Sequence, residues 1–162
     1  MMLAFLLGSV LFGPVSAVEK AGPSAAGVVS TAFVYDPIYL KHLTGARHPE
    51  SPQRLTSIVA RLEESGLLPS LLSLEPQKDV EQWIMTVHDK EYACHVRDLC
   101  RSGASQLDTG DTSICPDSYD AACAAVGGVL AAVDAVMDGR ARNAFCAVRP
   151  PGHHATPARG MG

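Results

Sequence analysis

The stretch from Asn143 to Val148 (NAFCAV) constrains the fold more than any other part of the chain. After its first residue it is apolar throughout, and it runs through Arg149 straight into Pro150-Pro151-Gly152. A strand with one wetted face alternates polar and apolar side chains. A short continuous apolar run instead predicts a strand buried on both faces, as inside a parallel sheet covered by helices. A parallel sheet needs crossover helices, so the rest of the chain should alternate strands with helices.

It does. Thr31–Tyr35 (TAFVY) reads as a strand ended by the turn Asp36-Pro37, and residues 41–52 read as a polar loop. Ser51 and Pro52 predict a helix start, Leu55, Ile58, Val59 and Leu62 share one apolar face, and Gly66 stops it. Leu71–Leu74 is a short apolar run with strand character. Asp79 with Gln82 resembles a capping box opening residues 80–87. Asp89 is placed to cap a helix over 90–101, with Tyr92, Val96 and Leu99 on one face. Gly103–Pro116 reads as a long polar loop. Asp117 or Ser118 then opens an alanine-rich helix running to about Met137. Its Gly127-Gly128 pair lowers helix propensity by roughly 1 kcal/mol per glycine, a cost that points to close packing at that spot. The predicted fold class is α/β with a central parallel sheet.

Composition narrows the function. The 162 residues suit one domain, and a net charge of −4 excludes a protein held to nucleic acid by a strongly basic surface. After the N-terminal segment no uninterrupted apolar run reaches the length of a membrane span. The five cysteines, Cys94, Cys100, Cys115, Cys123 and Cys146, are odd in number and contain no C-x-x-C pair, so they read as buried small hydrophobes rather than a disulfide or zinc framework.

Residues 1–17 (MMLAFLLGSVLFGPVSA) differ from the rest. The apolar run Leu3–Phe12 and the small residues Val15-Ser16-Ala17 fit a signal peptide, although its start lacks Lys and Arg. Residues 18–30 read as a linker, and the folded domain as 31–162. Export would place the protein in the periplasm or outside the cell. The unpaired cysteines favour the cytoplasm instead.

The buried run at 143–148 leads to Arg149-Pro150-Pro151-Gly152-His153-His154-Ala155. In open α/β sheets ligands bind beyond the carboxyl ends of the strands, so two adjacent histidines stand where a site is expected. Neighbouring side chains of a strand point to opposite sides. A Pro-Pro-Gly approach breaks that geometry and can bring both imidazoles toward one pocket. One ring could then move a proton while the other, charged, stabilises developing negative charge. The alternative is a solvent-facing turn whose histidines do nothing.

Arg149–Ala155 (RPPGHHA) resembles the corresponding segment of the histone deacetylase family, its class II-like branch in particular, with the bacterial deacetylase-like amidohydrolases and acetylpolyamine amidohydrolases. His48-Pro49-Glu50-Ser51-Pro52-Gln53-Arg54 is similar to the family's His-Pro-Glu-x-Pro-x-Arg motif. Val87-His88-Asp89-Lys90-Glu91-Tyr92 resembles its Val-His-x-x-x-Tyr helix. Gly110-Asp111-Thr112 followed by Cys115-Pro116 resembles the loop before its long alanine-rich helix. The resemblance covers residues 31–162 and implies an arginase/deacetylase-like fold and hydrolysis of an N-acetyl amide. The expected substrates are acetyl-lysine in a peptide or protein, or an acetylated small amine.

By the same resemblance His154 is the general base and then acid, and His153 an electrostatic partner. Asp111 is a rim residue that accepts hydrogen bonds from substrate, or else an Asx-turn or cap residue. Gly162 lines the acyl-lysine tunnel. Arg54 reaches the pocket floor, or else forms a structural ion pair. His42, His48, His88 and His95 read as scaffold. The family's Zn2+ is held by an Asp-x-His pair and a later Asp, and none of these follows His154 here. No metal ligand is therefore assigned in this chain. The expectation is the N-terminal part of a longer zinc deacetylase, inactive alone. The alternative is a non-catalytic binding module.

Overall fold

The structure, a computed structural model, describes residues 29–46, 48–107 and 110–161. The expected signal peptide (1–17), nearly all of the linker (18–30) and Gly162 lie outside them. Three parallel strands form one sheet in the order β2-β1-β3, with β1 (Val29–Val34) in the middle, β2 (Leu72–Leu74) on one side and β3 (Ala141–Cys146) on the other. Ala32 of β1 pairs with Leu72 and Ala144, and Val34 pairs with Leu74 and Cys146.

Among the described residues four α-helices follow: α1 (Pro52–Glu64), the single turn α2 (Glu81–Ile84), α3 (Lys90–Arg101) and α4 (Ser118–Met137); α1 and α4 pack on the sheet and α3 packs on α4. The strands and the three longer helices fall where the sequence places them, within a few residues. The turn expected at Asp36-Pro37 extends into a short 3-10 helix, Pro37–Lys41, and Asp36 caps it by accepting from the Ile38 N–H at 2.8 Å. Ser51, Asp89 and Asp117 stand at helix starts, but the side chain of none of them accepts a capping N–H.

Alternation on β1 divides the core into two layers. Ala32 and Val34 face Ala132 and Ala135 of α4, while Phe33 packs with Tyr39, Leu55 of α1 and Ala147. The α4 glycines make the first layer possible. A Cβ on Gly128 would sit 2.6 Å from Val34 Cγ1 and 2.8 Å from the Tyr39 hydroxyl, and one on Gly127 would overlap the Gln77 backbone. Gln77 also donates its N–H to the Gly127 carbonyl at 3.2 Å. By length and composition α4 could cross a membrane, yet here it carries the alanines of that core.

The expectation that the 143–148 run is buried on both faces needs correction. Arg142 through Phe145 are exposed, Phe145 at 44%. The physical reason is placement. β3 is the flank of the described sheet, paired on one side only, and it is Ala141 and Cys146 at its ends that join the α4 core while the residues between them stay exposed. Burial resumes past the strand end, at Ala147 and Arg149.

The polar loop before α4 is also more ordered than its composition suggests. It folds back as a hairpin, Gln106 bridging Ser113, with the Leu107 N–H donating to the Thr112 carbonyl at 2.8 Å. Leu107 and Ile114 plug into Cys100 of α3 to form a third small core.

Candidate active site

Strand pairing continues one residue past β3, the Ala147 N–H donating to the Val34 carbonyl at 2.9 Å. The chain then reaches Arg149, which is 1% exposed. A guanidinium has five donors and cannot be neutralised, so it is buried only where acceptors meet it. Its Nε and Nη2 fork onto the Glu50 carboxylate at 2.9 and 2.8 Å. Its Nη1 donates to the carbonyls of Tyr39 and His42 at 2.6 and 2.5 Å. One side chain thus ties the end of β3 to the segment after β1 and to the approach to α1.

Around this fork the polar groups are mutually satisfied. His42 is 4% exposed, with Nδ1 2.7 Å from the Ser118 hydroxyl and Nε2 3.7 Å from Glu50. The Ser118 oxygen accepts from the Cys115 N–H at 2.8 Å. Burial and then the Arg149 charge push His42 down to about 4, so the ring is neutral at pH 7. Burial opposes ionisation of Glu50, but the hydrogen bonds and charge of Arg149 prevail and hold its carboxyl below the ordinary range.

Beyond Arg149 come Pro150, joined through a cis peptide, Pro151, and a turn in which the Ala155 N–H donates to the Gly152 carbonyl at 2.9 Å. His153 and His154 occupy that turn, exposed, with ring centroids 4.2 Å apart and planes inclined by 58°. The two rings stand together, but on the exposed face of the turn and not in the wall of the cavity behind it. A cavity of about 200 Å³ lies behind the turn, between α3, α4 and the 105–114 hairpin. Gly152 and Ala155 are in its wall, with Tyr92, Leu107 and Cys123, but the two histidines are not.

Asp111 is exposed at the tip of the hairpin, accepting from the Thr112 hydroxyl at 3.1 Å, and Thr112 reaches the cavity wall. The side chain of Arg54 is 59% exposed and stands 3.5 Å from Glu50 Oε1, outside that wall. The buried arginine is Arg149, a residue of the quoted RPPGHHA segment to which the sequence alone assigns no role. Burial raises the Cys100 and Cys123 thiols, leaving them protonated and poor nucleophiles at neutral pH.

A family model described as "Histone deacetylase domain" matches residues 48–162. The chain belongs to the histone deacetylase family. It is 36% identical over 134 residues to a "Probable deacetylase" of Archaeoglobus fulgidus, covering 82% of this chain and 37% of that protein. It is 34% identical over 151 residues to the "Histone deacetylase-like amidohydrolase" of Pseudomonas aeruginosa, covering 82% and 39%. The crystal structure of the HDA15 HD domain superposes with a TM-score of 0.76 at 30% identity, over 84% of this chain and 39% of that one. The chain therefore spans about two fifths of these relatives, and its three-stranded parallel sheet with helices is part of the family's α/β fold.

The deacetylase family implies zinc. Among the described residues no three or more His, Cys, Asp or Glu side chains converge to hold an ion. The described residues do not by themselves fit a catalytic zinc.

Proposed function

We propose that this polypeptide supplies the histidine side of an N-acetyl amide hydrolase and acts as the N-terminal part of a longer, zinc-dependent deacetylase. Its substrate is acetyl-lysine in a peptide or an acetylated small amine. The observation that carries this is the His153–His154 pair, 4.2 Å between rings at the carboxyl end of a parallel strand, in a member of the histone deacetylase family. Imidazole is suited to the task because it takes and returns a proton near neutral pH.

In this reading His154 removes a proton from the attacking water and returns it to the leaving amine. His153, close beside it, stabilises the negative charge that develops on the acetyl oxygen. Asp111, exposed at the hairpin tip, accepts hydrogen bonds from the substrate's backbone or amine nitrogen. Gly162 lines the acyl channel, and Arg54 is a structural ion-pair partner of Glu50. Zinc enters only with ligands from outside the described residues. If Met1–Ala17 directs export, a small acetylated amine or a peptide is the natural substrate.

The test has two arms. The purified 162-residue chain, supplied with zinc, is assayed on an acetyl-lysine peptide and an acetylated diamine. Neither turnover nor stoichiometric zinc is expected. The coding DNA read in frame past codon 162 is expected to continue into Asp-x-His, a later Asp and a Tyr. The product of that longer frame should hydrolyse both substrates, and His154→Ala should lose about 10²–10⁴-fold in rate. Robust zinc-dependent turnover by the 162-residue chain overturns the division of labour. A zinc-loaded longer product with no turnover overturns the enzyme reading.

A further inference from the structure

We infer that Glu50, Arg149 and His88 are positioning residues that fix where the His153–His154 pair stands. The His153–His154 turn is fastened at both ends. Upstream, the Arg149 fork onto Glu50 and its two carbonyl contacts immobilise the residue that leaves β3. From that anchor to His153 the chain passes only Pro150, Pro151 and Gly152. Each proline ring locks its own φ, so little backbone freedom separates the anchored guanidinium from the imidazoles.

Downstream, the Pro157 carbonyl accepts the Asp89 N–H at 3.0 Å and lies 3.3 Å from His88 Nδ1. The Thr156 N–H donates to the Arg159 carbonyl at 2.8 Å and closes that end of the loop. The fastening on this side is the start of α3, an element far from Glu50 in sequence.

Two of the family-like motifs, His48–Arg54 and Val87–Tyr92, therefore converge on the histidine turn. Glu50, from the segment before α1, holds its first end, and His88 with Asp89 holds its second. A surface arginine and a loose histidine would leave the turn free to sample many positions. A buried fork and a bonded carbonyl leave it few, and general acid–base catalysis depends on placement within hydrogen-bond reach. The catalytic consequence rests on the proposed function. The fastening is geometric and stands apart from it.

The experiment uses the whole 162-residue chain and NMR. Two signals are read: the cross-relaxation between the His153 and His154 rings, and the exchange rate of the Asp89 amide. Variants are Glu50→Gln, His88→Ala and Arg149→Ala, with Arg61→Ala as a surface control. Glu50→Gln is expected to weaken the ring–ring signal. It should also speed Asp89 exchange by about tenfold or more while the amides of β1 and α4 keep theirs. An effect at Asp89 from a change at Glu50 is the signature of one fastened unit. His88→Ala should weaken the same ring–ring signal. Methylguanidinium added to Arg149→Ala should restore part of it.

Two results overturn the inference. One is a folded Glu50→Gln protein with both signals unchanged. The other is a uniform rise in exchange across all amides, which makes the fork a support of the fold alone. If Arg149→Ala does not fold, Glu50→Gln decides. These readouts need no substrate, so a failed deacetylase assay counts against the proposed function and leaves the fastening untouched.

Discussion

The side chain that does most at the scale of single residues is His42. Its ring is buried against Ser118 and near Arg149, and its pKa is pushed down from the ordinary 6.5 to about 4. The unfolded chain therefore binds a proton between these values that the folded chain refuses. Stability is full above about pH 6.5 and falls as pH drops towards 4, by up to about 3 kcal/mol. Glu50 adds to the loss on further acidification, since its folded carboxyl titrates below the ordinary range. The melting temperature of the wild type should fall steadily from pH 6.5 to 4. His42→Gln, which cannot take up that proton, should show a flatter curve by circular dichroism. An equal slope in both proteins would assign the acid lability elsewhere. At this scale the sequence was a partial guide. The histidine pair was evident from its motif, whereas the burial of Arg149 was not, because nothing local distinguishes a guanidinium aimed inwards from one in solvent.

Among the elements, α4 was the most legible and β3 the least. The α4 boundaries follow from its start residues and alanine run, and its two glycines mark the close approach they were expected to mark. Gly128→Ala should gain about 1 kcal/mol of helix propensity but lose more to overlap with Val34 and Tyr39, a net loss of roughly 1–2 kcal/mol. Gly127→Ala should cost at least as much, since the obstacle there is backbone rather than a mobile side chain. Urea titrations of both variants check this, and a stabilised Gly127→Ala protein would contradict the packing described. The β3 run was read as buried on both faces because its residues are apolar. Apolar character tells which surfaces favour cover, and the position of neighbouring helices decides which receive it. Here α4 covers the ends of β3, at Ala141 and Cys146, and not the residues between them. Phe145 is left to stack on Phe33, centroids 5.9 Å apart, with much of its ring in water. The hairpin at 105–114 escaped notice for the opposite reason. Its polar composition concealed Leu107 and Ile114, whose burial against Cys100 holds it in place.

For the molecule as a whole, several large apolar side chains of the described surface stand exposed on one helix. Val129, Val133 and Met137 recur every four residues along α4 and are 43%, 51% and 78% exposed. Together they make a stripe of the kind that attracts hydrophobic probes. The chain should bind an environment-sensitive dye in its folded state, and Val133→Lys with Met137→Lys should cut that fluorescence severalfold without moving the unfolding midpoint by much. Unchanged fluorescence would place the apolar surface elsewhere. The order β2-β1-β3 has a further consequence, in time rather than space. Val34 pairs with Cys146, and its other neighbour is Leu74. At about 5–20 residues per second, a ribosome needs roughly 5–20 s to go from the first of these partners to the last. Through that interval the central strand exists with at least one side unpaired, so the nascent chain depends on whatever shelters β1 until β3 has been made.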